Sequence, residues 1–162
     1  MNILVIVLPL VVLLALAWRV TGRTALVEGG KHVLLVDGVC VFCNRFVGLI
    51  LRWDHTRTFH FAHIQGDYGR AVLIKQGRDP QDLDRIYLVA NVGTAQERLL
   101  VDGEAAREVY PRLSVLGRVA RLMPLPLLNL VYAAFARVRY RLVGKYDRCY
   151  VPSAEERARY VE

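Results

Sequence analysis

Hydrophobic and polar positions along the chain alternate between two periods, and they predict a strand–helix order. Residues 32–36 form a short, almost wholly apolar run that ends at Asp37-Gly38, the pattern of a strand buried on both faces. From Cys40 the spacing changes. Phe42, Phe46, Leu49, Ile50 and Trp53 recur at three- and four-residue steps and predict a helix with one apolar face, ending near Asp54-His55. Residues 58–64 alternate and predict a second strand; residues 67–76 predict a short helix closed by Gly77. Residues 85–90 and 97–101 read as a third and a fourth strand, paired as a hairpin across the turn 91–94. Asp102-Gly103 ends the hairpin, and residues 104–113 open another helix. Pro124 and Pro126 divide the apolar and basic stretch 114–143 into two helices. Ser153, with Glu156 three residues on, predicts a capped helix in the tail. The expectation is an α/β domain with a four-stranded mixed sheet flanked by helices, its first strand–helix–strand unit a parallel crossover, and extra C-terminal helices.

The N-terminus does not fit that domain. Residues 3–18 are an unbroken apolar run interrupted in character only by Pro9, and Arg19 and Arg23 follow it. A bilayer span needs about 20 apolar residues, so this run sits at the short end of the range. It predicts a transmembrane anchor over residues 1–20, a polar glycine-bearing linker over 21–31, and a domain over 32–162. Ala15-Leu16-Ala17 offers the competing reading of a cleaved secretory signal, and a run this short also admits a buried core helix. The positive charges lie after the run rather than before it, which favours a single-pass anchor with the domain in the cytoplasm.

Composition narrows the partners. The apolar fraction is 54% and the formal charge is +7, so the chain has ample core material and an affinity for anionic surfaces. No run of five like charges and no groove-reading motif is present, which argues against nucleic acid. The arginines of 113–141 read first as solvated helix faces and second as a contact with anionic lipid beside the anchor.

The candidate chemistry lies at Cys40 and Cys43. The three cysteines, Cys40, Cys43 and Cys149, are too few and too odd in number for a stapled secreted domain. Two of them form a Cys-x-x-Cys pair where a strand passes into a helix. A thiol at a helix N-terminus sits at the positive end of the macrodipole near unsatisfied N–H groups, and both favour the thiolate needed for disulfide exchange. Cys40, taken as the more exposed of the two, reads as the nucleophile, and Cys43, one turn along, as the resolving thiol. Asp37 reads as a cap or a proton handler, and Gly38 as a backbone conformation or close approach that a side chain would block. Two other readings stand beside this one. Cys40 and Cys43 could join His60 and His63 in a zinc site, although those histidines point to opposite faces of a strand. The cysteines could also be incidental to a membrane-associated interaction protein. No organic cofactor is implied; the expected partner is a protein or small-molecule thiol or disulfide.

Asp37-Gly38-Val39-Cys40-Val41-Phe42-Cys43-Asn44 after an apolar strand resembles the Asp-x-x-Cys-x-x-Cys signature of the DCC family of thiol–disulfide oxidoreductases. Residues 132–142, with Arg139-Tyr140-Arg141, resemble that family's late helix, and Cys149-Tyr-Val-Pro152 its C-terminal segment. The resemblance covers about residues 32–160. It implies a thioredoxin-like fold and redox activity; Cys149 reads first as a small core residue and, on the resemblance alone, as a third redox thiol near the pair. Asp84-Arg85 stands before the third strand where thioredoxin relatives place a proline, and Val41-Phe42 lies between the cysteines.

Overall fold

The computed structural model describes residues 30–113 and 116–162. Four strands among them, β1 (His32–Val36), β2 (Phe59–His63), β3 (Tyr87–Ala90) and β4 (Arg98–Val101), form one mixed sheet in the order β2-β1-β3-β4. β1 is parallel to β2, with Leu34 beside Phe61, and antiparallel to β3, with Leu34 opposite Leu88. The parallel pair requires a long crossover, which α1 (Val41–Trp53) supplies, whereas β3 and β4 need only a hairpin. α2 (Asp67–Lys75) leads from β2 toward β3, and α3 (Gly103–Leu113) leaves β4. A single 3₁₀ turn (Leu116–Arg118), α4 (Val119–Leu122), α5 (Leu125–Val143) and α6 (Ala154–Arg157) complete the described chain.

Both sheet faces are covered, which is why β1 reads as a continuous apolar run: all five of its residues are buried. On one face Leu34, Val36, Phe59, Phe61 and Leu88 pack with Val47 and Ile50 of α1 and Val109 and Leu113 of α3. On the other, Val33, Leu35, Ala62, Tyr87 and Val89 pack with Leu73 of α2.

Several expectations are shifted. The buried stripe of α1 runs through Asn44, Val47 and Ile50, while Leu49 and Trp53 are exposed. Asn44 is turned inward, where its amide donates to two loop carbonyls. Only Pro124 breaks the late helical stretch. Pro126 lies in the first turn of α5, where a missing N–H costs nothing, and the first of the two expected helices shrinks to the 3₁₀ turn and α4. The β3–β4 connection is wider than a tight turn, with Asn91 and Gly93 both at positive φ. The predicted Ser153–Glu156 capping box is present. Beyond it the tail pairs with the edge of β2, Phe61 N donating to Arg159 O (2.8 Å) and Val161 N to Phe61 O (2.7 Å), so the open strand edge is covered.

The apolar run 3–18, expected as an anchor, lies outside the described residues, as does most of the expected linker. Among the described residues no helix is long and apolar enough to cross a membrane.

Candidate redox site

The loop between β1 and α1 is built from its own backbone and three side chains. Cys40 N donates to Asp37 O (3.2 Å) and Val39 N to Asp37 Oδ1 (3.1 Å). Asn44 Nδ2 donates to both Gly38 O (3.0 Å) and Cys40 O (2.8 Å), tying the loop to the first turn of the helix. Cys40 is the N-cap of α1, and its Sγ accepts the N–H of Cys43 at 3.2 Å. A sulfur thus fills the place usually taken by a serine or aspartate oxygen, facing the positive end of the helix.

This placement separates the two thiols electrostatically. Cys40 is lowered from its ordinary 9.0 to about 7, first by the hydrogen bond from the Cys43 side chain, then by the Cys43 backbone N–H and the Arg139 charge, against burial and Asp37. Cys43 is pushed well up, because the same bond holds its proton, burial disfavours its anion, and charge on Cys40 repels it. The pair is therefore poised to hold one proton between two sulfurs.

Exposure runs opposite to the expectation. Cys40 is 1% exposed, whereas Cys43 is only partly buried. The cause is a strap from the far end of the chain. After Gly144, whose φ of 85° turns the chain out of α5, Lys145 forms an antiparallel bridge with Cys40. Tyr146 N then donates to Val39 O (2.7 Å) and Tyr150 N to Gly38 O (2.8 Å). A Cβ on Gly38 would lie 3.0 Å from Cys149 Sγ and 3.1 Å from His63 Cδ2, so Gly38 serves close approach. Cys149 itself is exposed and sits against the redox loop.

Sequence reasoning missed the other principal member of the site. The sequence places Arg139 among solvated helix faces, yet it is 1% exposed and reaches across the sheet end to Asp37. Its Nη2 pairs with Asp37 Oδ2 (3.1 Å) and donates to Leu83 O (2.6 Å) and Tyr140 Oη (3.0 Å), while Nη1 lies 3.6 Å from Cys43 Sγ. Tyr140 Oη donates to the same Asp37 Oδ2, and Gln65 Nε2 donates to Oδ1 (2.8 Å). The stretch before β3, where thioredoxin relatives carry a proline, here presents the Leu83 carbonyl to Arg139. The one signal in the sequence was Arg139-Tyr140 within the family resemblance; helical spacing alone gave no hint of burial.

Beside Cys43 lies a half-open pocket of about 40 Å³, walled by Phe42, Phe46, Tyr110, Tyr132 and Phe135, with Arg139 and Asp37 at its polar end. His60 and His63 fall on opposite faces of β2, since Phe59 and Phe61 pack on one face and Ala62 on the other. Among the described residues, no group of three or more His, Cys, Asp or Glu side chains gathers where it could hold a metal ion.

Comparison with known proteins agrees with the geometry. A family model described as DCC1-like thiol-disulfide oxidoreductase matches residues 34–145, from β1 through the start of the strap. A chloroplastic DCC family protein of Arabidopsis thaliana is 29% identical over 129 residues, covering 75% of this chain and 70% of its own. The uncharacterized protein YuxK of Bacillus subtilis is 29% identical over 134 residues, covering 81% of this chain and 94% of its own. No solved structure matches significantly. With its Asp-x-x-Cys-x-x-Cys loop and the match over residues 34–145, the chain belongs to the DCC1-like thiol-disulfide oxidoreductase family.

Proposed function

We propose that the protein performs reversible dithiol–disulfide exchange, with Cys40 as the attacking thiolate and Cys43 as the resolving thiol. The observation that carries this is the N-cap placement of Cys40, whose sulfur accepts the Cys43 N–H at 3.2 Å and titrates at about 7. The sheet order β2-β1-β3-β4, with a cysteine pair opening the crossover helix, supports the thioredoxin-like reading of the fold.

In the reducing direction, Cys40 Sγ attacks one sulfur of a substrate disulfide. A Cys40–substrate disulfide forms, and the other substrate sulfur leaves as a thiolate that takes up a proton. The negative charge on Cys40 is then gone, and with it one of the causes that held the Cys43 proton. The Arg139 guanidinium, 3.6 Å from Cys43 Sγ, favours the anion that remains possible there. Cys43 loses its proton and attacks Cys40 Sγ; the second substrate sulfur leaves. The substrate gains two electrons and two protons, and the protein holds a Cys40–Cys43 disulfide. Asp37 keeps Arg139 in place and shapes the loop through Val39 N.

Because Cys40 is buried under residues 145–150, exchange with a protein disulfide requires the strap to lift about Gly144. The test is equilibration of the full chain across a glutathione series, following the Cys40–Cys43 disulfide by mass-resolved alkylation. A reversible two-electron transition that vanishes in Cys40→Ser is expected. If no intramolecular disulfide forms at any poise, the exchange mechanism is wrong.

A further inference from the structure

The inner face of α5 belongs to the redox site; its outer face has no partner among the described residues. Leu128, Ala136 and Arg139 are buried, whereas Leu127 (45%), Leu130 (65%), Val131 (53%), Val138 (40%) and Leu142 (72%) are exposed. At 3.6 residues per turn these five side chains fall within an arc of about 120°, a largely apolar stripe along the helix that Arg141 shares near its C-terminal end. Single exposed leucines need no explanation, but an aligned row of five marks a contact surface.

Charge decides what the contact is. No aspartate or glutamate occurs between Glu108 and Asp147, while Arg137 borders the stripe, Arg141 lies within it near the helix end and Lys145 follows past that end. All three cations are exposed. A helix with an apolar stripe, a bordering arginine, a second arginine long enough to snorkel from within the stripe and no acid is suited to lie in the headgroup region of an anionic bilayer. A nucleic acid would be badly served by five exposed aliphatic side chains. The same chain begins with an apolar run at residues 3–18, which would hold the domain close to such a surface.

We propose that the outer face of α5 lies on an anionic membrane surface, with Leu127, Leu130, Val131, Val138 and Leu142 in the acyl boundary and Arg137, Arg141 and Lys145 on lipid phosphates. Since Tyr132, Phe135 and Arg139 of the same helix line the pocket beside Cys43, this docking would fix how the redox site faces the membrane plane.

The test uses the full chain with Trp18→Phe and Trp53→Phe and a single reporter, Leu130→Trp. It is reconstituted into vesicles of phosphatidylcholine and phosphatidylserine with brominated acyl chains. Strong quenching of the reporter is expected, with a blue shift, and little quenching of a control reporter, Ile74→Trp, on α2 beneath the other sheet face. Adding Arg137→Gln and Arg141→Gln should lower the docked-to-undocked ratio about 30-fold, the weight of two charges at a lipid surface. The proposal fails if the two reporters are quenched alike, or if quenching at 130 is unchanged in pure phosphatidylcholine. It fails also if, in lipid-free protein held in a detergent with brominated tails, the reporter at 130 is shielded from water but not quenched, which would assign the stripe to a protein contact. Circular dichroism and the Cys40 titration of each variant establish that the domain has stayed folded.

Discussion

Two buried arginine–aspartate pairs bracket α1, and they do different things. Asp37 stands before the helix and takes Arg139 from α5; Asp54 is its C-cap and takes Arg159 from the tail. Each joins residues more than a hundred positions apart, 102 in one case and 105 in the other. At the Asp54 end, the carboxylate accepts Thr56 Oγ1 (3.0 Å), Thr58 N (3.1 Å), Phe59 N (2.8 Å) and Arg159, and Arg159 also donates to Phe59 O. That cluster is satisfied and stitches the tail to β2. At the Asp37 end, Arg139 keeps Nε without a hydrogen-bond partner and turns Nη1 toward a cysteine sulfur. A buried pair left incompletely satisfied costs stability, and here the cost falls beside the cysteine pair. The comparison teaches that the same chemical pairing serves as a seam at one end of the helix and as an electrostatic setting for thiols at the other.

That contrast can be broken by substitution. The largest effect is expected from Arg159→Ala, which leaves Asp54 buried and uncompensated. Urea unfolding should show a loss of about 3–5 kcal/mol, while the Cys40 thiolate, followed by its ultraviolet absorbance, still titrates near its wild-type position. Arg139→Met should destabilise by a similar order but should also raise the Cys40 midpoint above about 7, because a charge that lowers it is removed. Asp37→Asn should move the midpoint the other way, below about 7, since Asp37 acts to raise it. If both variants leave the titration in place, Arg139 and Asp37 are a second seam and nothing more.

The pH dependence sharpens the difference further. Burial acts to raise the Asp54 carboxyl, but the bonds from Phe59, Thr58 and Thr56 and the Arg159 charge hold it below its ordinary 3.8. Its contribution is present above that value and is lost as pH falls through the lower folded value, so acid unfolding should be shallower in Asp54→Asn. The depressed Cys40 contributes with the same sign but in another window: its share is full above 9.0 and is lost as pH falls to about 7. Stability should therefore rise between neutral and mildly alkaline pH in wild type and not in Cys40→Ala.

Smaller effects are expected at the strap and the tail. Gly38→Ala would place a methyl 3.0 Å from Cys149 Sγ. The exposed strap should yield, with a cost of about 1–3 kcal/mol and faster alkylation of Cys40. Ser153→Ala removes the cap of a one-turn helix and should cost about 1 kcal/mol.

Much of the fold was legible because its causes are local. β1 is delimited by its apolar run and Asp37-Gly38, α1 by the change of period at Cys40, and α6 by Ser153 and Glu156. The candidate site was legible at Cys40, Cys43, Asp37 and Gly38 for the same reason: all four lie on one strand–loop–helix turn. Arg139 was not, because a helical arginine is buried only if a distant carboxylate meets it. The exposure of the two thiols was read in reverse, because the helix start alone leaves Cys40 open and nothing local announces the strap at 145–150.

By itself, then, the order of residues determined the element sequence, the cysteine pair at a helix N-terminus, and the family. Periodicity, capping and turn chemistry act over a few residues and can be read there. Only the tertiary structure decided which sulfur is covered, which arginine is buried, and which face of α5 is left bare. The first two depend on groups brought together from about a hundred residues apart, and side-chain pattern within one element carries no record of what the rest of the chain will place against it.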